Sequence, residues 1–266
     1  MRVVASFALL TAGLALGAAA WARPVDSARL YVRPEPIVWS LSFNPDSALF
    51  ADNTQLIEAI NHALDRPRLV GVWGRYAGRP TARLIPPGMA GHGARSPYPL
   101  ATADLERARA LASGNLRSGK ALFGVYYGSP LRAVAVEVQR QLASIGLQVE
   151  IGVITRPCAG PKQSQCPRYD MMFDGRRADY PDPVAMLARL PTFAASRWNA
   201  RLVKATRLAG EARSRAFAQL DYDVMREAPP LAPFMAGNAA MLVSARTHCF
   251  HWNAHYGVDL GALCVR

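Results

Sequence analysis

ALFGVYYGSPLRAVAVEVQRQLASIGLQVEIGVI, residues 121–154, is the stretch that decides the fold. Residues 121–127 are a short apolar run of strand length. From 131 to 145 the apolar positions Val134, Val138 and Leu142 recur at helical spacing, and Gly146 supplies the usual C-terminal stop. Residues 147–154 read as a second strand. A helix of this length between two strands acts as a crossover, so the strands lie parallel, the connection is right-handed and the fold class is α/β.

Working outward, residues 53–64 carry Leu56, Ala59, Ile60, Ala63 and Leu64 on one helical face, with Asp52 or Asn53 placed to cap it. Arg66 and Pro67 read as the end of that helix, and a Pro/Gly-rich loop spans 78–99. A short helix over 102–112 starts on a Thr/Asp cap. Beyond the central unit, residues 169–174 read as a strand, and Asp182 caps a helix reaching Leu190. One long helix is expected where Leu202, Ala205, Ala209, Ala212, Ala216, Leu220 and Val224 hold a stripe, ending at Pro229 and Pro230. Residues 231–243 are apolar and extended. Nothing repeats internally.

Composition narrows the function. The chain has 266 residues, 51% of them hydrophobic, which excludes a disordered protein. Its net charge is +12, yet the 31 basic residues, all arginine except Lys120, Lys162 and Lys204, are scattered. A nucleic-acid binder would cluster them on one element, so no nucleic-acid partner is expected. Arg2, the apolar run 3–16 and the small-x-small triplet Ala20, Trp21, Ala22 read as a secretory signal peptide cut after Ala22. No cysteine lies near that site for a lipoprotein anchor. The alternative, a membrane anchor, is barely long enough and rich in alanine and glycine. The expected organisation is a signal peptide over 1–22, a lead-in over 23–37 and one domain over 38–266. Export makes disulfides the default for Cys158, Cys166, Cys249 and Cys264; the sequence leaves three connectivities open, and the expected one is the local pairing Cys158–Cys166 and Cys249–Cys264, which closes two short loops. A metal site at His248, Cys249, His251 and His255 matches no standard zinc spacing. No nucleophile elbow, H-E-x-x-H, Walker loop or dinucleotide fingerprint occurs, which by itself does not exclude an enzyme, and the expectation is a non-enzymatic chain without a cofactor. A hydrolase would have to be assembled from Ser129, His62 or His92 in space.

The segments EAINHALDRPRLV (58–70), LIPPGM (84–89), YPLATADLERARAL (98–111), VEVQRQLASIGLQVEI (136–151) and ADYPDP (178–183) occur in order. Together they resemble the C-terminal half of the family 5 extracellular solute-binding proteins, the periplasmic dipeptide and oligopeptide receptors of ABC importers. The resemblance implies a type II periplasmic-binding-protein lobe, essentially one lobe whose sheet contains parallel strands flanked by helices. It also implies a periplasmic, non-enzymatic role, a peptide or similar small solute as ligand, and an ABC permease as partner. The alternative is an exported cationic envelope protein or hydrolase with no part in transport.

Asp179 matches the family acid that anchors a ligand's amino terminus, and it could equally cap the next helix; Asp182 is read as the cap. Ligand contact is expected at Asp179 and Tyr180, with Trp198 and Asn199 nearby. Arg176 stands where the family has an aromatic residue, and Ile57 where it has a basic one. The family is roughly twice this length, and most of its other lobe has no counterpart here. Residues 39–43 and 231–243 correspond to crossovers between lobes and are expected to expose apolar strand edges. Self-association, or pairing with a separate chain carrying the missing lobe, follows from that expectation.

Overall fold

The computed structural model describes residues 28–128, 130–154, 168–194 and 197–265. The expected leader and the Cys158–Cys166 pair lie outside the described residues. The central unit folds as its sequence reads: β3 (Lys120–Tyr126), α4 (Leu131–Ala143) and β4 (Gln148–Ile154), with β3 and β4 parallel from Lys120↔Gln148 to Tyr126↔Ile154. Gly146, at φ 89°, ends the helix in a conformation that glycine adopts without steric cost, and the Leu147 N–H returns to the Leu142 carbonyl.

The other members of the main sheet are β1 (Arg29–Phe43), β2 (Gly78–Pro80), β5 (Met171–Arg177) and β6 (Leu231–Val243), in the order β2-β6-β1-β5-β3-β4. β5 runs parallel to β3, and β1 is antiparallel to both β5 and β6. β1 starts at Arg29, inside the expected lead-in. One sheet face is covered by α1 (Thr54–Ala63), α2 (Arg66–Trp73), α3 (Leu105–Ala112) and α4, around Leu41, Leu56, Ile60, Phe123, Val138 and Phe234. The other face carries α5 (Pro183–Leu187), α6 (Arg197–Thr206) and α7 (Gly210–Glu227), around Leu84, Leu187, Trp198, Phe217 and Val224. The small strands β7 (Thr247–His248), β8 (Trp252–Asn253), β9 (Gly257–Val258) and β10 (Cys264–Val265) form two ribbons, and the disulfide Cys249–Cys264, with Cα atoms 5.4 Å apart, ties β7 to β10.

Four expectations are corrected. Arg66 and Pro67 open α2: proline lacks the N–H that a first turn leaves unused, and Asp65 caps the helix by accepting from the Arg68 N–H. The 78–99 loop contains β2, which pairs with β6 from Gly78↔Gly237 to Pro80↔Met235. The long helix is two. The chain turns at 207–209, Gly210 takes φ 56°, and α6 folds back on α7, so Ala209 and Ala212 of the expected stripe are exposed. Finally, residues 39–43 and 231–243 are not free edges. β1 and β6 are each other's neighbours inside the sheet, burying Leu41, Leu231, Ala232, Phe234 and Met235. The large apolar side chains still exposed on this pair are Leu30 and Leu242, toward its outer end, so that argument for association loses its basis.

Glu137 of α4 ties the first layer together. Its carboxylate is 8% exposed and accepts from Arg140 and Gln141 of its own helix and from Arg68 Nε of α2 at 2.7 Å. The Arg140 hydrogen bond above all, with those of Gln141 and Arg68, outweighs burial and lowers its pKa from 4.5 to about 2. A carboxylate whose folded pKa is depressed stabilises the fold above its unfolded pKa and loses that contribution as pH falls toward the folded one. Urea unfolding should therefore show stability dropping between pH 4.5 and 2. Because both arginines are more than half exposed, water screens the interaction and the contribution is about 1–3 kcal/mol. Glu137→Gln should flatten the curve across that window; an unchanged acid slope would remove Glu137 as its source.

Candidate ligand-binding site

β3, β4 and β5 point the same way, and ligands of open α/β sheets sit beyond the carboxyl ends of such strands. There β3 and β5 separate. Among the described residues they pair only at Phe123↔Met171 and Gly124↔Met172, whereas β5 continues along β1 to Arg177↔Ile37 and β3 continues along β4. A wedge opens between Val125–Tyr126 on one lip and Phe173–Arg177 on the other.

The direction of the main chain follows from one hydrogen bond. Ala178 donates its N–H to the Pro36 carbonyl at 2.8 Å, toward β1. Successive residues of a strand present their main-chain groups to alternate neighbours, so Arg177 and Gly175 face the wedge, while Phe173 turns the same way at its apex, where the Gly124↔Met172 pairing engages its N–H. Met172 fits this alternation, because its carbonyl accepts from Ser42 of β1. Among the described residues the N–H and C=O groups of Gly175 and Arg177 on this lip have no strand partner. Gly175 keeps it low: a Cβ there would stand 2.7 Å from the Trp39 ring. Across the wedge, Tyr126 and Tyr127 are exposed; they also line an open apolar groove of about 580 Å³ running past Val136 and Val153 between α4 and β4.

Charged side chains at the end of β5 are paired. Arg176 Nη2 donates to Asp174 at 2.8 Å, Arg177 Nη2 to Glu35 at 2.9 Å, and Arg189 Nη2 meets Asp179 Oδ2 at 2.5 Å. Asp182, not Asp179, caps α5: its side chain accepts from the Val184 N–H at 2.9 Å and takes Arg213 on both oxygens, at 3.0 and 2.8 Å. Pinned by α7, Asp182 fixes the loop that presents Asp179 and the half-exposed Tyr180 beside the wedge.

The four expected ligand contacts are thus divided. Asp179 and Tyr180 follow β5 directly. Trp198 is 4% exposed, in the core between the sheet and α7, with Arg197 and Arg201 over its ring; Asn199 is exposed on α6. The structure makes Trp198 a packing residue. Sequence reading missed the wedge because main-chain groups carry no side-chain signature, and it missed Arg189 because nothing in the ADYPDP stretch names its partner.

His92 Nδ1–H donates to the Ile85 carbonyl at 2.8 Å, and His62, whose Nδ1 has no hydrogen-bond partner, lies between Glu58 and Asp104. Burial lowers the His62 pKa against the opposing pull of those two acids. Ser129 lies outside the described residues. Among the described residues no cluster of three metal-ligating side chains occurs, and no helix is long and apolar enough to cross a membrane.

Comparison with known proteins places this architecture. The family described as bacterial extracellular solute-binding proteins, family 5 Middle, matches residues 14–196. The chain belongs to this family. The match begins within the segment read as a leader peptide. No curated protein sequence matches. Among solved structures, the family 5 chain is similar to an oligopeptide-binding protein of Borrelia burgdorferi (16% identity, TM-score 0.75, covering 89% of this chain and 50% of that one). It is also similar to a dipeptide-binding protein of Pseudoalteromonas sp. SM9913 in complex with Met-Leu (18%, 0.72, 91% and 50%) and to the periplasmic binding protein DppA of Helicobacter pylori in complex with the peptide STSA (19%, 0.69, 89% and 49%). The family 5 chain spans about half the length of these structures. At such identities the likeness shows the fold: one α/β lobe of a type II periplasmic binding protein.

Proposed function

We propose that this chain is the peptide-binding lobe of an exported receptor serving an ABC importer. A peptide adds as an extended strand along the open lip of β5, and its amino terminus pairs with Asp179. The observation that carries this reading is the pair of residues Gly175 and Arg177, whose main-chain groups have no strand partner among the described residues and which lead to that carboxylate. Strand addition takes its affinity from main-chain hydrogen bonds and leaves side-chain choice to the surrounding pockets, which suits a receptor for many peptides. Two of the similar structures hold peptides, which supports the same ligand class. One lobe offers one wall of a cleft, so exclusion of water needs a facing surface. A separate chain carrying a second lobe, or a second copy of this one, supplies it before docking on the permease. In this reading the protein works in the periplasm after its leader is removed at Ala22, and the wedge needs neither cofactor nor metal.

Calorimetry with short peptides bearing free amino termini tests the site. Asp179→Asn should weaken binding by about 1.5–3 kcal/mol, the value of a hydrogen bond to a charged group, while N-acetylated peptides should bind the variant and the parent alike. Equal affinity of parent and variant for the free peptides would leave Asp179 as no more than the partner of Arg189.

A further inference from the structure

Three carboxylates stand at the end of β5, and all three already hold an arginine. Their exposures differ. Side-chain exposure is 24% and 20% for Asp174 and Arg176, and 17% and 42% for Glu35 and Arg177, but 52% and 68% for Asp179 and Arg189. An ion pair in high dielectric, formed by long mobile side chains, holds weakly and exchanges readily, whereas the half-buried pairs would strand a desolvated charge on opening. Asp179 and Arg189 therefore form the pair that opens most easily, and the rigid loop held by Asp182 and Arg213 keeps the carboxylate in place when it does.

We propose that Arg189 is an internal competitor for the ligand's ammonium group: in the empty protein its guanidinium occupies Asp179, and a peptide binds by displacing it. This rests on the peptide reading above and adds a selection rule to it. Only a ligand that presents its own cation can replace Arg189 without leaving the Asp179 carboxylate unpaired; the displaced guanidinium, 68% exposed, returns to water. Peptides with free amino termini are accepted, while N-acylated peptides and anionic solutes meet a site that is already satisfied. The arrangement also keeps the empty wedge electrically balanced, so stray cations gain little by entering.

The test is capture from a mixture of synthetic tripeptides, half with free and half with acetylated amino termini, read by mass spectrometry after removal of unbound material. The parent protein, Arg189→Ala, Asp179→Asn and the double variant are compared. Arg189→Ala should retain free-amino peptides about two- to fivefold more strongly than the parent, the range set by the strength of an exposed pair. The gain should vanish in the double variant, because it depends on the carboxylate, and acetylated peptides should show none. Capture by the parent with no gain in Arg189→Ala overturns the competitor and leaves the peptide site standing. An equal gain for acetylated peptides, or a gain surviving in the double variant, also overturns it, since Arg189 would then act through something other than Asp179. Capture by neither the parent nor Arg189→Ala overturns both the competitor and the peptide reading.

Discussion

Replacing Arg66 with methionine is expected to destabilise the protein by about 3–5 kcal/mol. The guanidinium is fully buried, yet none of its hydrogen-bond partners is charged. Nε donates to the carbonyls of Thr81 and Pro233, Nη1 to those of Asn61 and Pro99, and Nη2 to the Asn61 side-chain oxygen, all within 3.1 Å. One side chain thus joins the end of α1, the start of α2, the loop after β2, the loop before α3 and strand β6. Burial without a counter-ion lowers its pKa to about 9, opposed by the neighbouring Tyr98. Methionine matches the volume but removes the Arg66 donors from five oxygens, four of them in buried bonds and the Pro99 carbonyl in a part-buried one, and each buried orphan costs about 1–3 kcal/mol before relaxation. Arg66→Lys should recover part of the loss, since an ammonium offers three donors but no planar fork. Chemical denaturation followed by tryptophan fluorescence reads the effect; a midpoint shift worth less than about 1 kcal/mol would show that the loops rearrange to satisfy themselves.

A loss of similar size, about 3–5 kcal/mol, is expected from Asp221→Ala in α7. Asp221 is fully buried and accepts three hydrogen bonds: from the Leu84 N–H at 3.0 Å, the Ile85 N–H at 3.3 Å and Arg83 Nε at 2.9 Å. Arg83, itself buried, then spans to the carbonyls of Arg95 and Ala218. Removing the carboxylate strands a buried cation and two amides together, a far larger effect than loss of a surface pair. Asp221→Asn keeps the shape and one acceptor, so it should cost clearly less than alanine. If the two variants proved equal under the same denaturation assay, packing rather than charge would explain the loss. Because Asp221 holds the start of LIPPGM, its loss should also loosen the loop over α7, which limited proteolysis within residues 84–95 would report.

Both residues show what the family segments record. DRPRL and RLIPP look like functional motifs, and their polar groups do not face the wedge: Arg66 and Arg83 point inward, fastening loops to the two helical layers. ADYPDP is divided. Its second aspartate caps α5 and binds Arg213, and only its first lies beside the open edge.

The sequence by itself determined the α/β class, the parallel β3–α4–β4 unit and the Asp182 cap, while it left the pairing of Cys249 with Cys264 as one of three connectivities. Each of the three determined features is local: periodicity, a stop glycine or a capping side chain acts over a few residues, and no distant partner is needed to read it. Only the tertiary structure decided the rest. That β1 and β6 pair inside the sheet, that the helical stripe breaks at Gly210, and that Trp198 is core all depend on segments far apart in the chain finding one another. The wedge depends on it most. An unpaired edge is defined by where β3 stops following β5, and the relevant atoms are main-chain N–H and C=O groups that every residue carries alike, so no residue type could have announced it.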